Sequence, residues 1–177
     1  GFEQFALGAE IPDLLLSGKA DINAALSRGP GRFSLSKLTL ATPHLTFDAS
    51  ADMPEGGAAA GNYVLSLPEA GVLSGAIGVK LSGPLQVEGA LAGSFEAPRL
   101  SGTAQLPSLD ADGFSVQEGE MRFAAREILR APEGEIELSG DTSLGPLVGD
   151  FLYVLEDERL ALSDFSLTSG ESRLSGA

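Results

Sequence analysis

The chain has 177 residues, enough for one domain with a sizeable core, and carries 25 acidic against 11 basic residues for a net charge of −14. Scattered Lys and Arg on so acidic a surface repel phosphate, which argues against nucleic acid and against broad attraction to anionic lipid headgroups. With no cysteine there is no disulfide framework and no thiolate chemistry, and 43% hydrophobic residues in regular placement set the chain apart from disordered sequences despite 23 glycines and 10 prolines.

In chain order, GFEQFALGAEIPDLLLSGK at 1 to 19 has neither a basic start nor a sustained apolar run, so neither a signal peptide nor a membrane anchor is expected in it. The near-apolar stretches at 14 to 16 and 145 to 155 fall short of the roughly 20 residues that span a bilayer, and the chain reads as a soluble piece. Leu16, Gly18, Ala20, Ile22, Ala24 and Leu26 then alternate with polar positions, the signature of a half-buried strand. RGPGR at 28 to 32 is turn chemistry, and RFSLSKLTL at 32 to 40 and HLTFDASA at 44 to 51 resume the alternation. After MPEGG at 53 to 57 come Tyr63, Leu65 and Leu67; after PEAG at 68 to 71 come Ile77, Val79 and Leu81.

Leu85, Val87, Gly89, Leu91, Gly93 and Phe95 keep one parity over eleven positions, about 36 Å of extended chain. Past Pro98 the beat moves to even numbers, through Leu100, Gly102, Ala104 and Leu106, before the break DADG at 110 to 113. MRFAAREILRAPE at 121 to 133 admits either a strand, since Met121, Phe123 and Ala125 alternate, or a short helix ending before Pro132. Leu-Ser-Gly recurs at 16, 73, 81, 100, 138 and 174, and RFSLSKLTL at 32 to 40 aligns without a gap on RLALSDFSL at 159 to 167. In both copies the apolar parity flips, at Lys37 and at Asp164, as a short turn or bulge would make it do. The expected class is all-β, with roughly ten to fourteen strands built from repeats in a single domain over residues 1–177.

Few chemical motifs compete with this reading. The lone histidine, His44, sits beside Pro43 with no second nitrogen ligand, so a turn residue is expected rather than a metal or catalytic one. GxSxG is missing, and the glycine-rich GPGR and EGGAAAG lack the Lys-Ser/Thr of a phosphate loop. Acidic pairs such as Asp110 and Asp112, or Glu156 to Glu158, read as solvated loop charge. Neither an enzymatic activity nor a cofactor or metal is expected.

A sheet with one apolar face has to set that face against something, and no amphipathic helix is available to cover it. A sandwich, a barrel, a solenoid and a sheet curled over its own apolar face all remain open. Small inward residues such as Gly89 and Gly93 beside Leu91 are expected to leave room, and a roomy apolar interior calls for a guest.

GPLQVEGALAGSFEAPRLSGTAQLPSLDADGFSVQEGEMRF at 83 to 123 resembles the repeat of the TamB proteins, the inner-membrane subunit of the bacterial translocation and assembly module, within the AsmA-like group. The pattern is a G-x-L-x-G strand, a P-x-L-x-G strand and a widely spaced pair of glycines, carried here by Gly89, Leu91, Gly93, Pro98, Leu100, Gly102, Gly113 and Gly119. FSLSKLTLATPHLTFDASA at 33 to 51 and LALSDFSLTSGESRLSGA at 160 to 177 are similar to the family's other common unit. The resemblance implies a long curled antiparallel or mixed β-sheet with an apolar concave groove. It also implies a periplasmic bridge that carries phospholipid between inner and outer membranes, with an Omp85-type outer-membrane barrel as partner and a part in the assembly of nascent outer-membrane proteins. The family's anchor and its partner-binding end are not recognisable, so the chain is expected to be an internal slice of a longer protein held in the inner membrane elsewhere. The residues expected on the concave face, presenting hydrocarbon to acyl chains, are Leu65, Leu67, Ile77, Val79, Leu85, Val87, Leu91, Phe95, Leu100, Leu106, Phe114 and Val116. The alternative is a structural or adhesive β-solenoid or sandwich of an exported surface protein, with a filled interior and an outward working surface.

Overall fold

The computed structural model describes residues 15, 18–74, 80–94, 97–111, 114–128, 132–156 and 159–176, with the backbone alone at 107, 109–111, 114, 155–156 and 159–160. The strands are β1 (Asp21–Gly29), β2 (Arg32–Ala41), β3 (Thr46–Pro54), β4 (Ala59–Leu67), β5 (Lys80–Ser82), β6 (Leu85–Gly93), β7 (Pro98–Ala111), β8 (Phe114–Arg126), β9 (Glu133–Thr142), β10 (Gly145–Glu156), β11 (Arg159–Ser169) and β12 (Ser172–Gly176). They form one sheet, a meander β1-β2-β3-β4-β6-β7-β8-β9-β10-β11-β12 with β5 beside β7, and it does not close into a barrel. Every pairing is antiparallel, so neither a sandwich nor a solenoid is built among the described residues, and the mixed sheet allowed from sequence is purely antiparallel.

Local chemistry explains the meander. Pro30 and Gly31, with Gly31 at φ 65°, make the tight β1–β2 turn, and Gly56 at φ 68° serves the β3–β4 loop. The parity flips fall inside strands as bulges. Ala25 opposes Lys37 while Leu26 opposes Leu35, so Ser36 is the extra residue in β2. In β11 the shift sits at Asp164, whose φ is 46°. A third bulge, at Glu118 with φ 50°, had no clear sign in the sequence. Each returns the apolar positions to the same face, which a strict alternation over ten or more residues of twisted strand would not achieve. Residues 121–126 belong to β8, which settles the strand against the helix there.

Between β4 and β6 the chain leaves the ladder. Ala70–Leu73 form a 3-10 turn whose start is tied by the Glu69 carboxylate: Oε1 accepts from Gly71 N at 2.9 Å and from Gly83 N at 3.2 Å. Ser74 Oγ accepts from Leu81 N at 2.9 Å, and Ala70 N donates to Gly83 O at 2.8 Å. The turn drops Ala70, Val72 and Leu73 onto a core of Leu45, Leu67, Leu85 and Ala104. Leu67 is 1% exposed, and this cluster along one margin of the sheet is the best-packed part of the molecule.

Candidate functional site

Register decides what the two faces present. Ile22 opposes Leu40, then Phe47, Leu65, Val87 and Ala104 follow strand by strand. The same row goes on through Met121, Leu138, Gly149, Leu167 and Leu174, so it crosses all eleven strands of the path without a polar side chain. On the opposite face the neighbouring row reads Asn23, Thr39, Asp48, Val64, Glu88, Thr103, Arg122, Glu137, Asp150, Ser166 and Ser175. One face is hydrocarbon and the other is hydrated, and ten inter-strand steps of about 4.8 Å give the apolar face roughly 48 Å of contour.

Among the described residues no second layer lies over this face beyond the turn at Ala70–Leu73, yet its central side chains are half-buried while the outer row is mostly exposed. The sheet curls over its apolar side into a trough. Its glycines let it do so. A Cβ on Gly89 would run into the Ser101 carbonyl oxygen, and one on Gly102 would lie 2.6 Å from the Glu88 oxygen, because the neighbouring strands lean over the concave side at that row. Gly61 meets Ser50 O and Gly134 meets Ala124 O in the same way.

These glycines do not leave the room expected from the sequence. Tyr63 lies across Gly89 and Gly102, with its hydroxyl donating to Ser101 O at 3.2 Å, and Phe123 covers Gly102 from the other side. Tyr63 also stacks on Phe47 at a centroid separation of 6.4 Å, and burial pushes its phenol pKa up, as it does that of Tyr153. Leu167 fills the place at Gly149, Val116 that at Gly140, and Phe165 that at Gly176. The Leu-Ser-Gly repeat thereby acquires a physical meaning at 100, 138 and 174: Leu and Gly face inward with Ser outward, and the glycine seats a side chain from an adjacent strand. At Gly18 and Gly83 the same triplet ends in a turn, with φ of 87° and 82°.

The expected site residues divide accordingly. Leu65, Val87, Leu91, Leu100 and Leu106 are half-buried on the apolar face. Leu67, Leu85 and Val116 lie on it too, but they are buried under the chain's own atoms, at 1%, 9% and 7% exposure. Ile77, Val79 and Phe95 lie outside the described residues, and of Phe114 only the backbone in β8 is described. The trough extends beyond the expected residues: Tyr63, Phe123, Ile136, Phe151 and Tyr153 line its middle rows. The signal was present in the alternation of EGEIELSG at 133 to 140, where Ile136 and Leu138 alternate with Glu135, Glu137 and Ser139.

Toward both edges the apolar face opens to solvent. Ile22 and Leu26 on β1 are 48% and 61% exposed, and Leu162 and Leu174 on the far strands 51% and 60%. On the hydrated face Asp52 pairs with Arg32 at 3.0 Å, and hydrogen bonds from Ser34 and Arg32 hold its carboxyl below the usual range. Fold and face together define an open antiparallel β-trough. Comparison with family models, with curated proteins and with solved structures returns no match to this chain.

Proposed function

We propose that the trough is a lipid-carrying segment of a TamB-like envelope protein, working in the periplasm between inner and outer membranes. The observation that carries this reading is the uninterrupted apolar row across an open sheet whose reverse face is polar. Acyl chains laid along it withdraw hydrocarbon from water at about 25 cal/mol per Å², summed over many weak contacts, so cargo is held without being fixed. Leu91 and Leu100, opposite one another on β6 and β7, are the contacts assigned to cargo, whereas Leu67 and Leu85 serve the packed margin. In its full-length setting such a segment acts with an Omp85-type barrel and supports the assembly of nascent outer-membrane proteins.

The test is chemical. Solvent extraction or native mass spectrometry of the purified protein is expected to yield phospholipid, and a photo-crosslinking residue at Leu91 is expected to label it. Protein recovered free of lipid, with no labelling at Leu91, overturns the proposal; a surface adhesin would behave that way.

A further inference from the structure

Away from the bulges, the register sets one charged residue on the apolar face among the described strands. It is Arg28, near the end of β1, which opposes Phe33, and Phe33 in turn opposes Met53. Arg28 makes no ion pair among the described residues, whereas Arg32, on the hydrated face, is held by Asp52 at 3.0 Å. Beside Arg28 lies an open hollow of about 880 Å³ between the β1–β2 and β3–β4 turns, walled by Pro30, Phe33, Met53, Pro54 and Glu55. The two turns are tied together, Glu55 N donating to Gly31 O at 2.7 Å, and the Glu55 carboxylate lies over Gly31, 3.7 Å from where a Cβ would stand. We infer that this hollow is the headgroup site of the trough and takes a zwitterionic diacyl phospholipid, its phosphate against Arg28 and its ammonium against Glu55. The inference rests on the lipid-carrying function proposed for the trough.

Charge chooses the headgroup. A guanidinium presents a planar fork of donors that suits phosphate oxygens, and a carboxylate accepts from a primary ammonium. Arg28 and Glu55 line one hollow without pairing with each other, so both are left to a ligand that carries both charges. A headgroup with phosphate alone would satisfy Arg28, leave Glu55 unanswered and bring net negative charge to a chain that already carries −14.

Position agrees with charge. One row inward from Arg28, Leu26, Leu35, Ala51 and Gly61 lead strand by strand to Leu91 and Leu100, the contacts assigned to cargo. Leu35 and Leu91 are three strand steps apart, roughly 14 Å. An acyl chain covers that distance, since two of them end to end fill a hydrocarbon core about 30 Å thick. At the other end of β4 and β6 the face is covered by the Ala70–Leu73 turn packed on Leu67 and Leu85, which leaves the Arg28 end for the polar group.

Titration of the full chain with dihexanoyl phosphatidylethanolamine and with dihexanoyl phosphatidylglycerol, read by calorimetry and by the NMR signals of Phe33 and Met53, tests the site. The ethanolamine lipid is expected to bind roughly fivefold more tightly, the upper end for one exposed ion pair. Arg28→Gln is expected to weaken both lipids by a similar factor and Glu55→Gln to erase the preference, while Arg32→Gln leaves both unchanged. All three side chains are exposed, so the melting temperature of each variant should match that of the parent. Phosphoethanolamine without acyl chains is expected to bind far more weakly than the lipid, and equal binding would overturn the assignment to lipid. Lipid binding that shows no headgroup preference, or that Arg28→Gln leaves unchanged, overturns the inference and leaves the proposed function standing. Failure of the unmodified chain to bind either lipid overturns that function and the inference with it.

Discussion

Replacing Gly89 by alanine separates a glycine that merely leaves space from one that serves as a seat. By strand propensity alone the change should stabilise, since glycine in a strand interior is worse than alanine by roughly 0.5–1 kcal/mol. The structure reverses the sign. The new methyl would collide with the Ser101 carbonyl oxygen and lie 2.6 Å from Tyr63 Oη and 2.7 Å from Cζ, so the ring must leave its seat and the β6–β7 ladder must open. Overpacking of this kind costs about 1–3 kcal/mol, and loss of the Tyr63 hydrogen bond adds about 1 kcal/mol. The net effect expected is a destabilisation of roughly 2 kcal/mol, which in a domain of this size lowers Tm by about 4–8 °C. Thermal and urea unfolding of Gly89→Ala should be set beside Gly29→Ala, where nothing lies within 4 Å of the added carbon and a small gain is expected. In a double-mutant cycle with Tyr63→Ala the two changes should couple by about 0.5–1.5 kcal/mol, since the ring is no longer there to be displaced. If Gly89→Ala melts at or above the parent temperature, the row is not creased as described and the tyrosine is not seated there.

Leu67→Ala should lose about 2–5 kcal/mol of stability by opening a cavity in the packed margin, whereas Leu91→Arg, whose head can reach water from an open trough, should cost within about 1 kcal/mol and abolish lipid recovery. Unfolding by urea and lipid recovery measured on both variants check this, and global unfolding by Leu91→Arg would mean a closed core. Glu69→Ala removes the acceptor of two backbone N–H groups and should destabilise the turn at Ala70–Leu73 by about 1 kcal/mol per bond, read as lost hydrogen-exchange protection at Gly71 and Gly83 with little change elsewhere. Because burial raises the phenols of Tyr63 and Tyr153, the folded state holds those protons more tightly. Their contribution is present below about pH 10 and is lost as pH rises through the folded values, so Tyr63→Phe/Tyr153→Phe should flatten the alkaline unfolding curve. Asp52 acts at the other extreme: its lowered pKa lends stability above the ordinary carboxylate range that is lost on acidification through the folded value, and Asp52→Asn should remove that dependence.

Much of the architecture is legible in the chain because a strand's side chains alternate with a period of two. That period alone assigns Leu85, Val87 and Leu91 to one face and Gln86 and Glu88 to the other, and it locates the bulges at Ser36–Lys37 and Asp164 where the parity breaks. Turn chemistry at RGPGR and MPEGG does the same for the hairpins. The segment at 121 to 126 is ambiguous in sequence because Met121, Phe123 and Ala125 alternate while Ala124, Arg126 and Glu127 also suit a helix, and pairing with β7 and β9 on either side selects the strand.

What the sequence by itself determined is the class of element, the apolar face of each strand and the points where alternation is corrected, all properties of a residue and its near neighbours along the chain. Only the tertiary structure decided that the strands join one open antiparallel sheet and that Tyr63 and Phe123 occupy the places at Gly89 and Gly102. It also decided that the turn after β4 folds back to bury Leu67 and Leu85. The physical reason is that these outcomes depend on which strands become neighbours and how far their backbones lean together. A glycine is the same letter whether the space beside it is empty or filled by a ring that lies 26 residues away at Tyr63.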